Sequence, residues 1–324
     1  MYGSAGGFLS PENLVGRSGS KFPPEAATLS GLIFSANKIN PQFSQEELKQ
    51  NLYVAGPFWA HCKQEQNFYV PIPRSKVISQ DGVDEWSLKE NQDKLVWHRN
   101  NSDLEAEFSW QTINLWEKPL KVIQTNKLAA QKHPWQFIPI LHPRMKPDER
   151  HVKDQDGLFL ENAVQMPEDA CLVYLSTHQL PSGWYKFGGE NHIVEIDSQE
   201  IKSPRLLELL QQPIQQAFAL ITPAVWGSNR LSYRYPQHPN FPKPVQMLTE
   251  KAVSYRYSAG GKLGRGRYAV PAGTVCVLDQ PLNMPWWDWP EEWFPNEGYS
   301  LKRVGCGLCL PIKINNLPST TRVA

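Results

Sequence analysis

The chain has little cysteine, almost no net charge and no long hydrophobic run. Five cysteines, Cys62, Cys171, Cys276, Cys306 and Cys309, are an odd number scattered over 324 residues. That suits a reducing compartment better than a disulfide framework. A formal charge of +1, from 33 basic and 32 acidic residues, excludes attraction of nucleic acid or membrane by the molecule as a whole. Any such partner must be held by a local patch. The longest near-continuous apolar stretch, residues 217–225, is broken by Thr222 and Pro223 and is too short to span a bilayer. Met1-Tyr2-Gly3-Ser4-Ala5-Gly6-Gly7 offers neither a basic start nor an apolar run, so no signal peptide and a cytoplasmic location are expected. Catalytic signatures are missing as well: there is no H-x-E or HExxH metal motif, no G-x-S-x-G elbow and no Walker A loop.

Against these gaps stand 28 prolines and 12 tryptophans in a composition that is 40% hydrophobic and 20% charged. Such a chain folds around a sizeable core, and its prolines demand irregular, extended connections rather than a helical bundle. Leu29, Leu32, Ile33 and Ala36 recur at helical spacing just past Pro23 and Pro24, and predict an amphipathic helix. Ser44 with Glu47 makes a capping box for a second helix at 44–52. Ser203 before Pro204, with Pro213 beyond, predicts a third over 204–212. Aromatic and β-branched runs at 68–72, 107–113, 171–176, 192–197, 252–257, 274–278 and 307–314 read as strands. The pattern is that of an α+β protein with antiparallel sheets, few helices and long loops, divided near residue 200.

Charge is segregated near the C-terminus. Residues 226–268 carry Arg230, Arg234, Lys243, Lys251, Arg256, Lys262, Arg265 and Arg267 against the single acid Glu250. Trp226, Tyr233, Tyr235, Phe241, Tyr255, Tyr257 and Tyr268 are interleaved with them. Cations for phosphates alternating with flat rings for bases suit single-stranded RNA; the same pattern also fits solvated strand faces over core aromatics. Residues 269–297 then carry five acids and no cation, which hides the basic segment from the total charge. Their tryptophans at 286–293 suit a local core or a protein-facing surface.

Gly260-Gly261-Lys262-Leu263-Gly264-Arg265-Gly266-Arg267 offers open backbone amides among three cations, enough to follow a phosphate chain, or forms a plain hairpin tip. Gly188-Gly189-Glu190 permits close backbone approach or makes a turn, and Gly305 and Gly307 bracket the start of an apolar strand. Cys306-Gly307-Leu308-Cys309 resembles half a zinc site or a redox motif, yet it has neither a second ligand pair nor a helix N-terminus. None of the eight histidines stands beside a matching acid in a motif.

In order along the chain, several segments resemble one known family. They are Ser20-Lys21-Phe22-Pro23-Pro24 with Thr28 and Gly31, Gly56-Pro57-Phe58 with Tyr69-Val70-Pro71-Ile72-Pro73, and Arg150-His151-Val152-Lys153 leading to Asp156-Gly157-Leu158-Phe159. Phe187-Gly188-Gly189-Glu190, Leu220-Ile221-Thr222-Pro223-Ala224, Val270-Pro271-Ala272-Gly273-Thr274-Val275 and Gly305-Cys306-Gly307 follow. Together they resemble the third subunit of the type III-B Cmr complex, in the RAMP superfamily of CRISPR-associated proteins.

The resemblance implies two ferredoxin-like (RRM-related) domains, over 1–200 and 201–324, and a non-catalytic role without a cofactor. It implies a grip on the 5′ tag of the guide RNA (crRNA), beside the large polymerase-like subunit and the first backbone subunit, with target RNA nearby and no membrane partner. The family starts with a strand before the first helix, whereas this chain starts in the following loop, so either the first half lacks a strand or, as expected, the true start lies upstream.

Within that reading Arg17 and Lys21 neutralise tag phosphates, or are simply solvated. Gly188 and Gly189 let backbone approach, Lys262, Arg265 and Arg267 clamp the strand, and Gly305 with Gly307 form a phosphate-facing loop. Two other readings stay open: a RAMP endoribonuclease using a histidine base such as His192 or His151, and an RRM-like RNA binder outside the CRISPR systems.

Overall fold

The computed structural model describes residues 22–317 except 93, 144, 147, 154–156, 189–191, 228–230, 257, 260–261 and 264–265, with backbone alone for 159–162, 258–259 and 262–263. Helix α1 (Ala26–Ile39) buries Ala26, Leu29, Leu32 and Ile33 on one face, as their spacing requires. Asn37 is buried on the same helix and holds the next loop: its Oδ1 accepts from the amides of Gln42 (2.8 Å) and Phe43 (3.0 Å). Helix α2 (Gln45–Asn51) starts where the Ser44 hydroxyl accepts from the Glu47 amide at 3.0 Å. A short α3 (Leu120–Thr125) has no counterpart in the sequence reading. Helix α4 (Pro204–Gln211) is capped by Ser203, accepting from Leu206, and buries Leu206, Leu209 and Leu210.

Two antiparallel sheets carry the core. In the first, the strands lie in the order Ala170–Ser176, Val54–His61, Tyr69–Pro71, Trp110–Thr112, Ala130–Gln131. In the second the order is Pro244–Leu248, Val275–Leu278, Ala217–Leu220, Cys309–Pro311. Taken in chain order, those four strands lie 2-3-1-4 across the sheet. Every residue of Ala217–Leu220, Val275–Leu278 and Cys309–Pro311 is buried, so these strands are covered on both faces and read as continuous apolar runs.

One hydrophobic cluster draws on both sheets. It joins Ala55, Phe58, Phe68 and Val70 to Phe218, Leu220, Val275, Val277 and the tryptophans 226, 286 and 289. Backbone and side-chain bonds stitch the same seam: Trp116 Nε1 donates to the Pro311 carbonyl at 2.8 Å, and the Arg74 amide to the Gly273 carbonyl at 2.8 Å. Residues on either side of position 200 therefore share a core.

Several strands are shorter than the sequence suggests, for local reasons. The amides of Glu107 and Phe108 donate to the Ile78 carbonyl rather than into the sheet, and Ile113 opens a 3-10 turn, which leaves Trp110–Thr112. Gly307 has φ +68°, and the Leu308 amide donates to the Thr222 hydroxyl at 2.8 Å, so the last strand begins only at Cys309. Unforeseen, too, is an eight-residue ribbon, Gln136–Pro143 against Leu158–Gln165, that stands outside both sheets. It exposes Phe137, Ile138, Ile140, Leu141 and Leu158.

Candidate nucleic-acid interface

The basic segment sits at one end of the second sheet. Trp226–Gly227 pairs with Ser232–Tyr233, and the close crossing requires a glycine: a Cβ on Gly227, at φ +106°, would lie 2.3 Å from the Leu231 carbonyl oxygen. Val253–Tyr255 and Arg267–Ala269 form the base of a hairpin in which Tyr255 faces Arg267 and Ser254 faces Tyr268. Further out, Ser258–Ala259 pairs with Lys262–Leu263.

Strand alternation sorts these residues. Tyr255, Arg267 and Ala269 turn inward and are buried, whereas Tyr268 is 70% exposed. Trp226 and Phe241 also enter the core. Arg234, Lys243, Lys251 and Arg256 remain exposed, with Tyr233 beside them on the surface at 37%. Among its described residues the basic segment is thus divided: some of its rings support the fold, while four cations and two tyrosines face outward.

The acidic stretch backs this surface from inside. Trp286, Trp289 and Trp293 are buried, and Phe241 meets the rings of Trp289 and Trp293 edge-on at 5.5 and 5.2 Å. This is the local-core reading of the tryptophan run. Lys302 closes it from below, donating its Nζ to the carbonyls of Trp287 (2.5 Å) and Trp289 (2.6 Å) between the rings of Tyr53 and Trp286. Burial lowers this ammonium to about 8.

The residues expected to touch RNA fall into three groups. Arg17, Lys21, Gly189 and Arg265 lie outside the described residues, and for Lys262 only the backbone position, far out on the hairpin, is described. Gly188 ends the strand Gly183–Phe187 at φ +78°, a conformation that favours glycine.

The last group is turned into the protein. Arg267 pairs with Glu297, and its side chain is only 4% exposed, so its charge is already spent internally. Gly305 and Gly307 are buried as well. A Cβ on Gly305 would stand 2.6 Å from Ala55 Cα, and one on Gly307 3.1 Å from the Trp226 ring. These two glycines let the last strand pack against the first sheet and Trp226, rather than facing a phosphate. The neighbouring Cys306 and Cys309 are buried free thiols, and burial pushes Cys306 up to about 12.

Three histidines have carboxylate partners that no sequence motif could reveal, because the partners are remote in the chain: His61 with Asp169 (3.3 Å), His178 with Glu47 (3.8 Å) and His238 with Glu292 (3.2 Å). Among the described residues no three His, Cys, Asp or Glu side chains gather where they could hold a metal ion. No helix among them is long and apolar enough to cross a membrane.

A mixed α/β chain with several antiparallel sheets and a basic, aromatic edge is the class of protein defined so far. The chain belongs to the family described as CRISPR-associated protein (Cas_Cmr3), whose model matches residues 10–313. As a Cmr3-type protein it is a component of the type III CRISPR effector machinery. No curated protein matches it. Among solved structures it is similar to a chain of the type III-B Cmr-beta complex bound to cognate target RNA and AMPPnP, at 12% identity and TM-score 0.46, covering 86% of this chain and 82% of that one. It is also similar to a chain of the Csm3–Csm4 subcomplex of the type III-A interference complex, at 8% identity and TM-score 0.39, covering 80% and 88%.

Proposed function

We propose that this chain is a non-catalytic RNA-binding subunit of a type III-B effector. It grips the 5′ tag of the guide RNA and docks beside the large polymerase-like subunit and the first backbone subunit, near the target RNA. The observation that carries this reading is the outward set Arg234, Lys243, Lys251 and Arg256 with Tyr233 and Tyr268. Cations neutralise successive phosphates while the rings stack on bases, which needs no sequence-specific contact and leaves target choice to base pairing. The roles expected of Arg17, Lys21, Lys262 and Arg265 at the phosphates, and of Gly188 and Gly189 in close backbone approach, belong to the same proposal.

The ferredoxin-like reading of the second half belongs to the same proposal. The order 2-3-1-4, read from the other edge as 4-1-3-2, is that of a βαββαβ unit. Residues 221–243 and the 3-10 turns within 286–304 occupy the places of its two helices.

The test is to purify the chain with its neighbouring subunits and sequence the co-purifying RNA, then probe it with ribonuclease. A guide RNA with a fixed 5′ end shielded by this subunit is expected; an end left open to the nuclease in the complete assembly would sink the proposal. Repeat RNA incubated with the chain without metal should stay intact. Specific cleavage abolished by His192→Ala or His151→Ala would replace this reading with an endoribonuclease.

A further inference from the structure

Where residues 71–109 meet residues 248–272, a cavity of about 240 Å³ opens between the two halves of the chain. Its walls bring together Arg74, Arg99 and Glu250 with the flat rings of Trp86 and Phe108. Arg74 Nη2 donates to Glu250 Oε2 at 2.6 Å, and the Arg99 guanidinium stands over the Trp86 ring at 5.3 Å. Arg74 Nε is shut from solvent and has no hydrogen-bond partner. The Arg74 backbone is clasped to the second half through its amide and the Gly273 carbonyl, so this orphan donor is held at the seam. Lys76 also lines the cavity, but its Nζ is already engaged by the Trp116 carbonyl at 2.7 Å.

We infer that this cavity is a binding site for one unstacked nucleotide of the RNA, an inference that rests on the RNA-binding reading above. An apolar ligand would strip water from the Arg74 guanidinium, whose side chain is 37% exposed, and offer its charge no acceptor. A bare phosphate would leave Trp86 and Phe108 uncovered. A nucleotide uses both halves of the lining: its phosphate meets Arg74 and Arg99, and its base lies against the guanidinium plane and the rings. Glu250 accepts from a ribose hydroxyl or an exocyclic amine. The volume is smaller than that of drug-sized pockets, which fits one base and excludes a duplex.

The test uses the full chain and a short single-stranded oligoribonucleotide carrying 4-thiouridine at one position at a time, irradiated at long wavelength, with the cross-linked peptides mapped by mass spectrometry. At one position the cross-link should fall on the peptides holding Trp86 or Phe108. Trp86→Leu and Arg99→Ala, checked for folding by circular dichroism, should each weaken binding about tenfold or more. If RNA binds both folded variants with full affinity and cross-links only within residues 226–247 or 251–269, away from the cavity walls, the pocket assignment is wrong and the RNA-binding function stands. If no oligoribonucleotide binds, both are wrong.

Discussion

Replacing Gly305 by alanine tests whether the glycine-rich turn before the last strand is a packing seam. The backbone there is left-handed, φ +73°, which costs an L-residue about 1–2 kcal/mol. The new Cβ would meet Ala55 Cα at 2.6 Å, Ala55 Cβ at 2.8 Å and the Val54 carbonyl oxygen at 2.8 Å, all on the strand Val54–His61 of the first sheet. None of these is a flexible side-chain end, so relief requires the two sheets to separate, and overpacking of this kind costs about 1–3 kcal/mol. The expected loss is therefore about 2–5 kcal/mol. Gly298 is the control: it has φ +91° with nothing within 4 Å of the added atom, so its alanine variant should lose only the backbone contribution. Urea denaturation followed by tryptophan fluorescence measures both, since the buried tryptophans report on the shared core. Equal losses in the two variants, or a Gly305→Ala protein of full stability that releases RNA, would refute the seam and restore a phosphate-facing loop.

Other perturbations separate structural cations from surface ones. Arg267→Ala removes a buried cation from beside a Glu297 side chain only 14% exposed and should cost about 3 kcal/mol in the same denaturation experiment, without changing the salt dependence of RNA binding. Arg234→Ala should do the reverse, reducing the slope of log K against log salt by about 0.7 at unchanged stability; a shallower slope for Arg267→Ala would contradict its inward placement. Lys302, held down to about 8 against an ordinary 10.5, binds fewer protons folded than unfolded between those values, so its contribution to stability rises with pH across that window. Lys76 has the same sign, and the Cys276 and Cys306 thiols, pushed up to about 12, have the opposite one. The comparison is therefore of slopes: Lys302→Met should make the change of denaturation midpoint with pH between 8 and 10.5 less positive than in the unaltered protein, and an unchanged slope would count against the buried ammonium. Ser203→Ala removes the acceptor of the Leu206 amide and should cost about 1 kcal/mol, read from the same midpoints.

The elements held by neighbours in sequence could be read from the sequence. The two serine caps act over three residues, and the apolar spacing of α1 marks its buried face, so both survive any change of tertiary context. The family resemblance was legible for a similar reason: its motifs are short local strings in a fixed order, and the family match over 10–313 agrees with them. Fates decided across the seam could not be read. Tyr268 and Arg267 are adjacent and equally plausible as ligands of RNA, yet the register against Ser254 and Tyr255 sends one outward and the other to Glu297. Arg74, Trp86 and Arg99 belong to no local motif, because only the fold brings Arg74 to Glu250, 176 positions away, through a side-chain hydrogen bond.

Composition and local pattern by themselves determined that this is an antiparallel α+β chain with a basic, aromatic stretch near its C-terminus, because capping, periodicity and charge segregation are properties of neighbours. Only the tertiary structure decided which of those cations face solvent and which glycines serve packing. A side chain's exposure depends on what the fold lays over it, and here one core is built from both ends of the chain.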